Sequence, residues 1–155
     1  MIIKICGIQN ESTLICCEKN NVNFFGMIFY PGSPRNISIE NAVELQKISE
    51  DLNIKGVGVF VNKNIYEIEE VIKNLNLTYV QLHGTEDDGY IKNLKKTGVK
   101  VIKSISISNK YDLRKITKYE NVDYFLFDYK PFKGELPGGN SKSFDWNILK
   151  NLETK

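Results

Sequence analysis

The run Phe24-Phe25-Gly26-Met27-Ile28-Phe29-Tyr30 is apolar at nearly every position and is the strongest indication of the fold. The run Val57-Gly58-Val59-Phe60-Val61, in a strand predicted to start near Lys55, has the same character. Continuous apolar runs of this length are typical of β-strands that are covered on both faces, as in parallel sheets. Four further runs begin elsewhere in the chain, near Ile2, Tyr79, Val99 and Tyr124. Helix-like segments separate the runs, and the repeat of about 24 residues predicts parallel βα units.

The composition is that of one globular domain covering residues 1–155. Hydrophobic residues make up 41% and charged residues 26%, which argues against intrinsic disorder. Charged or polar residues interrupt every apolar run, so no membrane helix is predicted. The formal charge is only +2 and both signs are mixed, which indicates no nucleic-acid partner. The N-terminus lacks the features of a secretory signal, and we therefore expect a cytoplasmic protein.

The cysteine count argues against a disulfide framework and a metal site. Cys6, Cys16 and Cys17 are an odd number, and two of them are adjacent. The chain has a single histidine, His83, which cannot by itself anchor a multi-histidine site. We expect free thiols and no bound metal.

Polar residues and glycines mark the expected starts and ends of the helix-like segments. Five residues are well placed to accept backbone N–H bonds at helix starts, namely Ser38, Asn64, Thr85, Ser108 and Ser143. Gly98 is expected to end a helix in the left-handed conformation. The segment from Lys130 to Ser143 contains two prolines and three glycines. Because only about a dozen residues follow it, we interpret it as a long loop after the sixth strand and not as an interdomain linker.

Four polar residues fall where apolar runs end. Ligands of parallel α/β proteins gather at the carboxyl ends of the strands, so Cys6, Arg35, His83 and Asp128 are expected to share one rim. Each also has a structural explanation. Cys6 could be a base or nucleophile, or a small buried hydrophobe, and Arg35 could clamp a carboxylate or be solvated. His83 could act at the rim or fill a structural hydrogen bond, and Asp128 could be functional or pair with Lys130.

Taken together, these residues resemble phosphoribosylanthranilate isomerase, a (βα)8-barrel enzyme of tryptophan biosynthesis. The matching segments are collinear with the family and run along the whole chain: Lys4-Ile5-Cys6-Gly7-Ile8, Gly26 to Pro31 with Ser33-Pro34-Arg35 and Ser38, Val57 to Asn62, Val80-Gln81-Leu82-His83-Gly84, Val101-Ile102-Lys103, Phe127-Asp128, and Gly138-Gly139 with Lys142, Phe144, Asp145 and Trp146. As a set these motifs are highly specific.

The resemblance implies a TIM-barrel-type fold and an Amadori rearrangement of phosphoribosylanthranilate without a metal or organic cofactor. Asp128 would be the general acid and Cys6 the general base, while Arg35 would hold the anthranilate carboxylate. An acid that is protonated near neutral pH needs a raised pKa, so burial is expected to raise the pKa of Asp128. Weaker substrate contacts are implied for a further set of residues, His83, Gly7, Gly138 and Gly139.

The resemblance covers six of the family's eight βα units. The segments with which the family binds the substrate phosphate, and a further aspartate near the anthranilate, have no counterpart here. An incomplete record, a truncated chain and assembly with a second copy each explain this, and open edges on the first and sixth strands would favour self-association. A non-catalytic barrel fragment is the main alternative to the enzyme. An open flavodoxin-like sheet is a weaker one, because no glycine-rich loop follows the first strand.

Overall fold

The computed structural model describes residues 1–132, 134–135, 138–139, 142–150 and 152. Within these residues six strands form one sheet: β1 Lys4–Cys6, β2 Phe24–Ile28, β3 Lys55–Phe60, β4 Tyr79–Leu82, β5 Lys100–Ile107 and β6 Tyr124–Tyr129. The strands follow one another in chain order, and every neighbouring pair is parallel. This confirms the predicted parallel βα units. In a flavodoxin-like sheet the spatial order of the strands reverses at the first strand, and in this sheet it does not.

Helices connect the strands. The α-helices are α1 Glu11–Lys19, α2 Ile39–Glu50, α3 Ile65–Leu75 and α4 Asp88–Leu94, and 3₁₀ turns occupy Lys95–Thr97, Lys110–Lys118 and Trp146–Leu149. None of the helices in the described part of the chain is both long enough and apolar enough to cross a membrane. The long loop predicted for Lys130 to Ser143 lies partly outside the described residues, and its described part is turns and irregular backbone.

Helix caps agree with the sequence only in part. Ser38 and Asn64 cap α2 and α3 as predicted, and Gly98 is left-handed with φ of +88°. The predictions for Thr85, Ser108 and Ser143 are wrong, because the side chains that accept the cap hydrogen bonds come one or two residues later, from Asp87, Asn109 and Asp145. An Asp or Asn near the predicted start competes for the same backbone N–H groups. Which residue becomes the N-cap depends on where the helix begins after the preceding strand.

One face of the sheet packs against the helices, and the other carries the residues of a cavity. Alternate strand residues such as Phe25, Phe60 and Val80 are buried against the helices and form the main apolar cluster. The intervening residues point to the opposite face, and those near the carboxyl ends of the strands line a cavity. The period of two along each strand therefore separates the stabilising core from the candidate site.

Candidate active site

A cavity of about 250 Å³ opens at the carboxyl ends of the strands. It brings together six of the seven residues predicted as site residues, Cys6, Arg35, His83, Asp128, Gly138 and Gly139. The seventh, Gly7, packs directly against Arg35. The expected convergence of strand ends at one rim is thus what the structure shows. Among the described residues no group of three or more His, Cys, Asp or Glu side chains is placed to hold a metal.

Cys6 ends β1 beside a glycine and a cation. A Cβ built on Gly26 would lie 2.9 Å from the Cys6 Sγ and 3.0 Å from the Lys4 Nζ. Both atoms therefore border the same point, which places the thiol and the ammonium within about 6 Å of each other. A side chain at Gly26 would occupy the space that the two groups share. The three cysteines are all free thiols, and Cys6 is the one that lines the cavity.

Arg35 is held against the backbone of the first strand. Its Nη1 donates to the carbonyl oxygen of Cys6 at 2.8 Å, and its backbone N–H donates to the Ser33 hydroxyl at 3.1 Å. Gly7 has φ of +84°, and a Cβ there would come within 2.7 Å of the Arg35 Cδ. None of the ion pairs in the described part of the chain involves this guanidinium. Its remaining N–H groups can therefore bind an anionic ligand.

His83 and Asp128 meet within the same cavity. The His83 Nε2 lies 3.3 Å from the Asp128 Oδ2 and 3.3 Å from the Ser104 hydroxyl. The other ring nitrogen, Nδ1, lies 2.8 Å from the side-chain nitrogen of Gln81. The second oxygen of Asp128 accepts a hydrogen bond from the Tyr129 N–H at 2.8 Å. Both oxygens of the carboxyl are therefore engaged.

The electrostatics of Asp128 differ from the prediction. The hydrogen bond from His83 lowers the pKa of Asp128, and the Tyr129 N–H adds to this effect, while partial burial acts in the opposite direction without prevailing. The expectation of a raised pKa is therefore wrong. The cause is the imidazole, since a donor aimed at a carboxylate stabilises the charged form.

Two consecutive glycines of the loop after β6 close over these groups. A Cβ on Gly138 would lie 2.9 Å from the His83 Nε2 and 3.1 Å from the Asp128 Oδ2. A Cβ on Gly139 would lie 2.8 Å from the Arg35 Nη2. Both residues have positive φ, +118° and +73°, so glycine is favoured by the backbone as well as by the lack of space. The loop thus lies against both the His83–Asp128 pair and Arg35.

A buried ion pair supports the rim from the helix side of the sheet. The Lys103 Nζ lies 3.1 Å from the Glu86 Oε2 and donates to the Gly84 carbonyl oxygen at 2.7 Å. Glu86 in turn accepts hydrogen bonds from the backbone N–H groups of Asn62 and Gly84, at 2.8 and 3.0 Å. The carboxylate therefore ties the ends of β3 and β4 together directly beside His83.

Comparisons with known proteins identify the family of the chain. A family model described as N-(5'phosphoribosyl)anthranilate (PRA) isomerase matches residues 3–155. The chain belongs to this family. The PRA isomerase of Petrotoga mobilis is 41% identical over 154 residues, which are 99% of this chain and 71% of the relative. The PRA isomerase of Clostridium acetobutylicum is 39% identical over 153 residues, with 99% and 71% covered.

Solved structures of PRA isomerases give the same result. The Thermotoga maritima enzyme superimposes with a TM-score of 0.82 at 33% identity, over 96% of this chain and 70% of that one. A PRA isomerase in complex with reduced 1-(o-carboxyphenylamino)-1-deoxyribulose 5-phosphate gives a TM-score of 0.78 at 31% identity, over 96% and 69%. These findings confirm the TIM-barrel-type fold and the expected class of enzyme, an aldose–ketose isomerase of tryptophan biosynthesis.

Sequence reasoning gave no role to four polar residues that line the cavity, Lys4, Tyr30, Ser33 and Gln81. Lys4 and Gln81 both line the cavity, although each lies within a motif that carried the family resemblance. The missed signal was their spacing, because Lys4 precedes Cys6 by two residues and Gln81 precedes His83 by two. In a strand, residues two apart share a face, so each pair had to point into the same space.

Proposed function

We propose that Cys6 and Asp128 are the general base and general acid of an Amadori rearrangement. The substrate is N-(5'-phosphoribosyl)anthranilate and the product 1-(o-carboxyphenylamino)-1-deoxyribulose 5-phosphate. The observation that carries the proposal is the cavity itself, because a thiol from the first strand and a carboxyl from the sixth strand line the same space. One acid and one base with access to one ligand are what the reaction requires.

The rearrangement needs an acid for the ring oxygen and a base for the proton on C2. Asp128 donates a proton to the furanose ring oxygen, the bond from this oxygen to C1 breaks, and the anilino nitrogen supplies the electron pair that forms a protonated imine. The Cys6 thiolate then removes the proton from C2, which gives an enolamine that tautomerises to the C2 ketone. C2 is oxidised while C1 is reduced within one molecule, so the step uses no external oxidant or reductant.

Asp128 must carry a proton when the ring opens. The hydrogen bond from His83 lowers the pKa of this carboxyl, so the carboxylate prevails at neutral pH. Its side chain is 30% exposed, and a ligand that fills the cavity would remove the water around it. Desolvation raises the pKa of a carboxyl. We infer that substrate binding itself shifts Asp128 towards the protonated form.

Arg35 is proposed to hold the anthranilate carboxylate. Its guanidinium is fixed at one nitrogen by the Cys6 carbonyl oxygen, so the remaining N–H groups are pre-oriented towards the cavity. Gly7 leaves the space that the side chain of Arg35 occupies. Gly138 and Gly139 would bring backbone against the bound substrate, and His83 would contact it beside the acid.

We also propose the setting of the reaction. The partner is a small molecule and not a nucleic acid, no cofactor takes part, and free thiols fit a cytoplasmic location. In the described residues β1 pairs only with β2, and β6 only with β5. The outer edges of these two strands offer hydrogen-bonding groups to a further strand, including one from a second copy.

Substitution of the two proposed groups tests their roles. Cys6→Ser and Asp128→Asn are each expected to lower the turnover of phosphoribosylanthranilate by about 10²- to 10⁴-fold, because each removes one proton-transfer group. Cys16→Ser is the matched control, since Cys16 is an exposed thiol of α1. Circular dichroism should show an unchanged fold in all three. Wild-type turnover in either site variant would contradict the role of that residue.

A further inference from the structure

Gln81 is one of the most deeply buried polar residues of the chain, at 2% exposure. Its side-chain nitrogen lies 2.8 Å from the His83 Nδ1, and this is the hydrogen bond that the structure gives the Gln81 amide within the described residues. Its carbonyl oxygen, Oε1, is buried without a partner there. Burying an amide costs free energy unless its hydrogen bonds are made, so a glutamine at this position needs an explanation.

The contacts of His83 determine which ring nitrogen carries the proton. A carboxylate accepts hydrogen bonds and donates none, so the Nε2 that faces Asp128 must bear the hydrogen. In a neutral imidazole the other nitrogen, Nδ1, is then an acceptor. Gln81 offers it an amide N–H donor, which satisfies this requirement. Ser104, at 3.3 Å from Nε2, can accept from the same N–H.

We propose that Gln81 is a positioning residue of the acid, because its amide holds His83 as the Nε2–H tautomer and so directs a donor at Asp128. Gln81 and His83 point to the same face of β4, and Asp128 faces them from β6. With Oδ2 held by the imidazole and Oδ1 by the Tyr129 N–H, the carboxyl keeps one orientation in the cavity. The inference rests on the proposed role of Asp128.

The charged and titratable groups around His83 come from several elements. Asp128 is the one within hydrogen-bonding distance. Lys4 and Cys6 on β1, and Tyr30 and Arg35 after β2, line the same cavity. In the described residues none of these four groups forms a hydrogen bond with the imidazole ring. The tautomer therefore depends on the contact of Nδ1 with Gln81 and the contact of Nε2 with Asp128.

The test uses the fact that the chain contains one histidine. In a chain labelled with ¹⁵N-histidine, the two ring nitrogens are observed by NMR without assignment, and their shifts and couplings report the tautomer directly. At a pH where the ring is neutral, the wild-type chain is expected to show mainly Nε2–H. A wild-type ring that is mainly Nδ1–H would overturn the proposal without any variant.

Two variants extend the test. Gln81→Leu removes the donor to Nδ1, and the ratio of Nε2–H to Nδ1–H is expected to fall about two- to tenfold. Gln81→Glu keeps the length of the side chain but offers only acceptors, so a proton is expected on Nδ1. Both substitutions move the proton towards Nδ1, and the shift is expected to be larger in Gln81→Glu. An unfolded chain would give the two variants the same signals, so this difference cannot arise from loss of the fold.

Gln46→Leu is the matched control. Gln46 also has a buried Oε1 without a partner in the described residues, but it packs beside Gly56 and does not line the cavity. Its loss is expected to leave the tautomer ratio unchanged. An unchanged ratio in Gln81→Leu as well would overturn the proposal. Because the readout is spectroscopic, it is independent of turnover, and failure of the acid–base assignment would be seen separately in Asp128→Asn.

Discussion

Replacement of Glu86 by Gln is expected to destabilise the chain by about 3–5 kcal/mol, the usual effect of removing one partner from a buried ion pair. The side chains of Lys103 and Glu86 are only 1% and 2% exposed. The substitution keeps the shape of the side chain, so it opens no cavity. It removes the negative charge that compensates the Lys103 ammonium, and it leaves fewer acceptors for the N–H groups of Asn62 and Gly84.

The pKa of Lys103 also indicates that burial of its charge is only partly compensated by Glu86. Burial lowers the pKa of this amine, and the attraction of Glu86 only partly opposes that effect. A lysine whose folded pKa is lowered destabilises the fold while it is charged. The penalty is present at neutral pH and is relieved as the pH rises through the folded pKa towards about 10.4. The loss in Glu86→Gln should therefore become smaller in alkaline solution.

Urea denaturation at neutral pH measures the effect. With a slope of about 2 kcal/mol per M, the expected loss shifts the midpoint by about 2 M. Glu67→Gln is the matched control, because Glu67 pairs with Lys63 at 3.0 Å on the surface of the protein. Exposed pairs of this type contribute about 0.3–0.5 kcal/mol. The control should therefore move the midpoint by less than about 0.3 M.

A double variant separates the effect of the unpaired buried charge from the effect of the lost hydrogen bonds. Lys103→Met combined with Glu86→Gln is expected to cost less than the sum of the two single substitutions, because no unpaired charge is left buried. A loss in Glu86→Gln no larger than that in Glu67→Gln would refute the reasoning. So would strict additivity in the double variant, since either result would mean that the buried charge does not dominate.

Three further predictions concern the loops and the rim. Burial alone would raise the pKa of Asp112, but its hydrogen bonds, above all the one from Lys115, outweigh burial and lower the pKa. Asp112→Asn should therefore lower the free energy of unfolding by about 1–3 kcal/mol at pH 7. This difference from the wild type should shrink in denaturation experiments as the pH falls below about 4, where the unfolded chain takes up the proton. Gly138→Ala should lower kcat/KM about 10- to 100-fold, because the added Cβ meets the imidazole. Gly134→Ala is the control and should not lower it, because Gly134 also has a positive φ but a Cβ there meets no atom of the described residues within 4 Å. Arg35→Lys should raise KM about tenfold with a smaller change in kcat, because the two-pronged contact with a carboxylate is lost; an unchanged KM would place the anthranilate elsewhere.

The predicted placement of Cys6, Arg35, His83 and Asp128 at one rim was correct because it depends on a general rule. Parallel strands end at the same edge of the sheet, so any polar residue that ends an apolar run must lie there. The predicted strand starts were correct within two residues, and the largest difference is at β1, where Ile2 is exposed and pairing begins at Lys4. Helix caps were less predictable, since neighbouring polar residues compete for the same N–H groups.

The sequence by itself therefore determined the parallel βα fold, the family and the rim that carries the site, because these follow from periodicity and from motifs within a few residues of one another. The hydrogen bonds and ion pairs of the site depend on contacts between residues that are distant in the chain. Strand register brings Gln81, His83 and Asp128 into one hydrogen-bonded chain and buries Lys103 against Glu86. The direction of the pKa shift of Asp128 depends on a single imidazole 3.3 Å away, and such a distance is fixed by the packing of β4 against β5 and of β5 against β6.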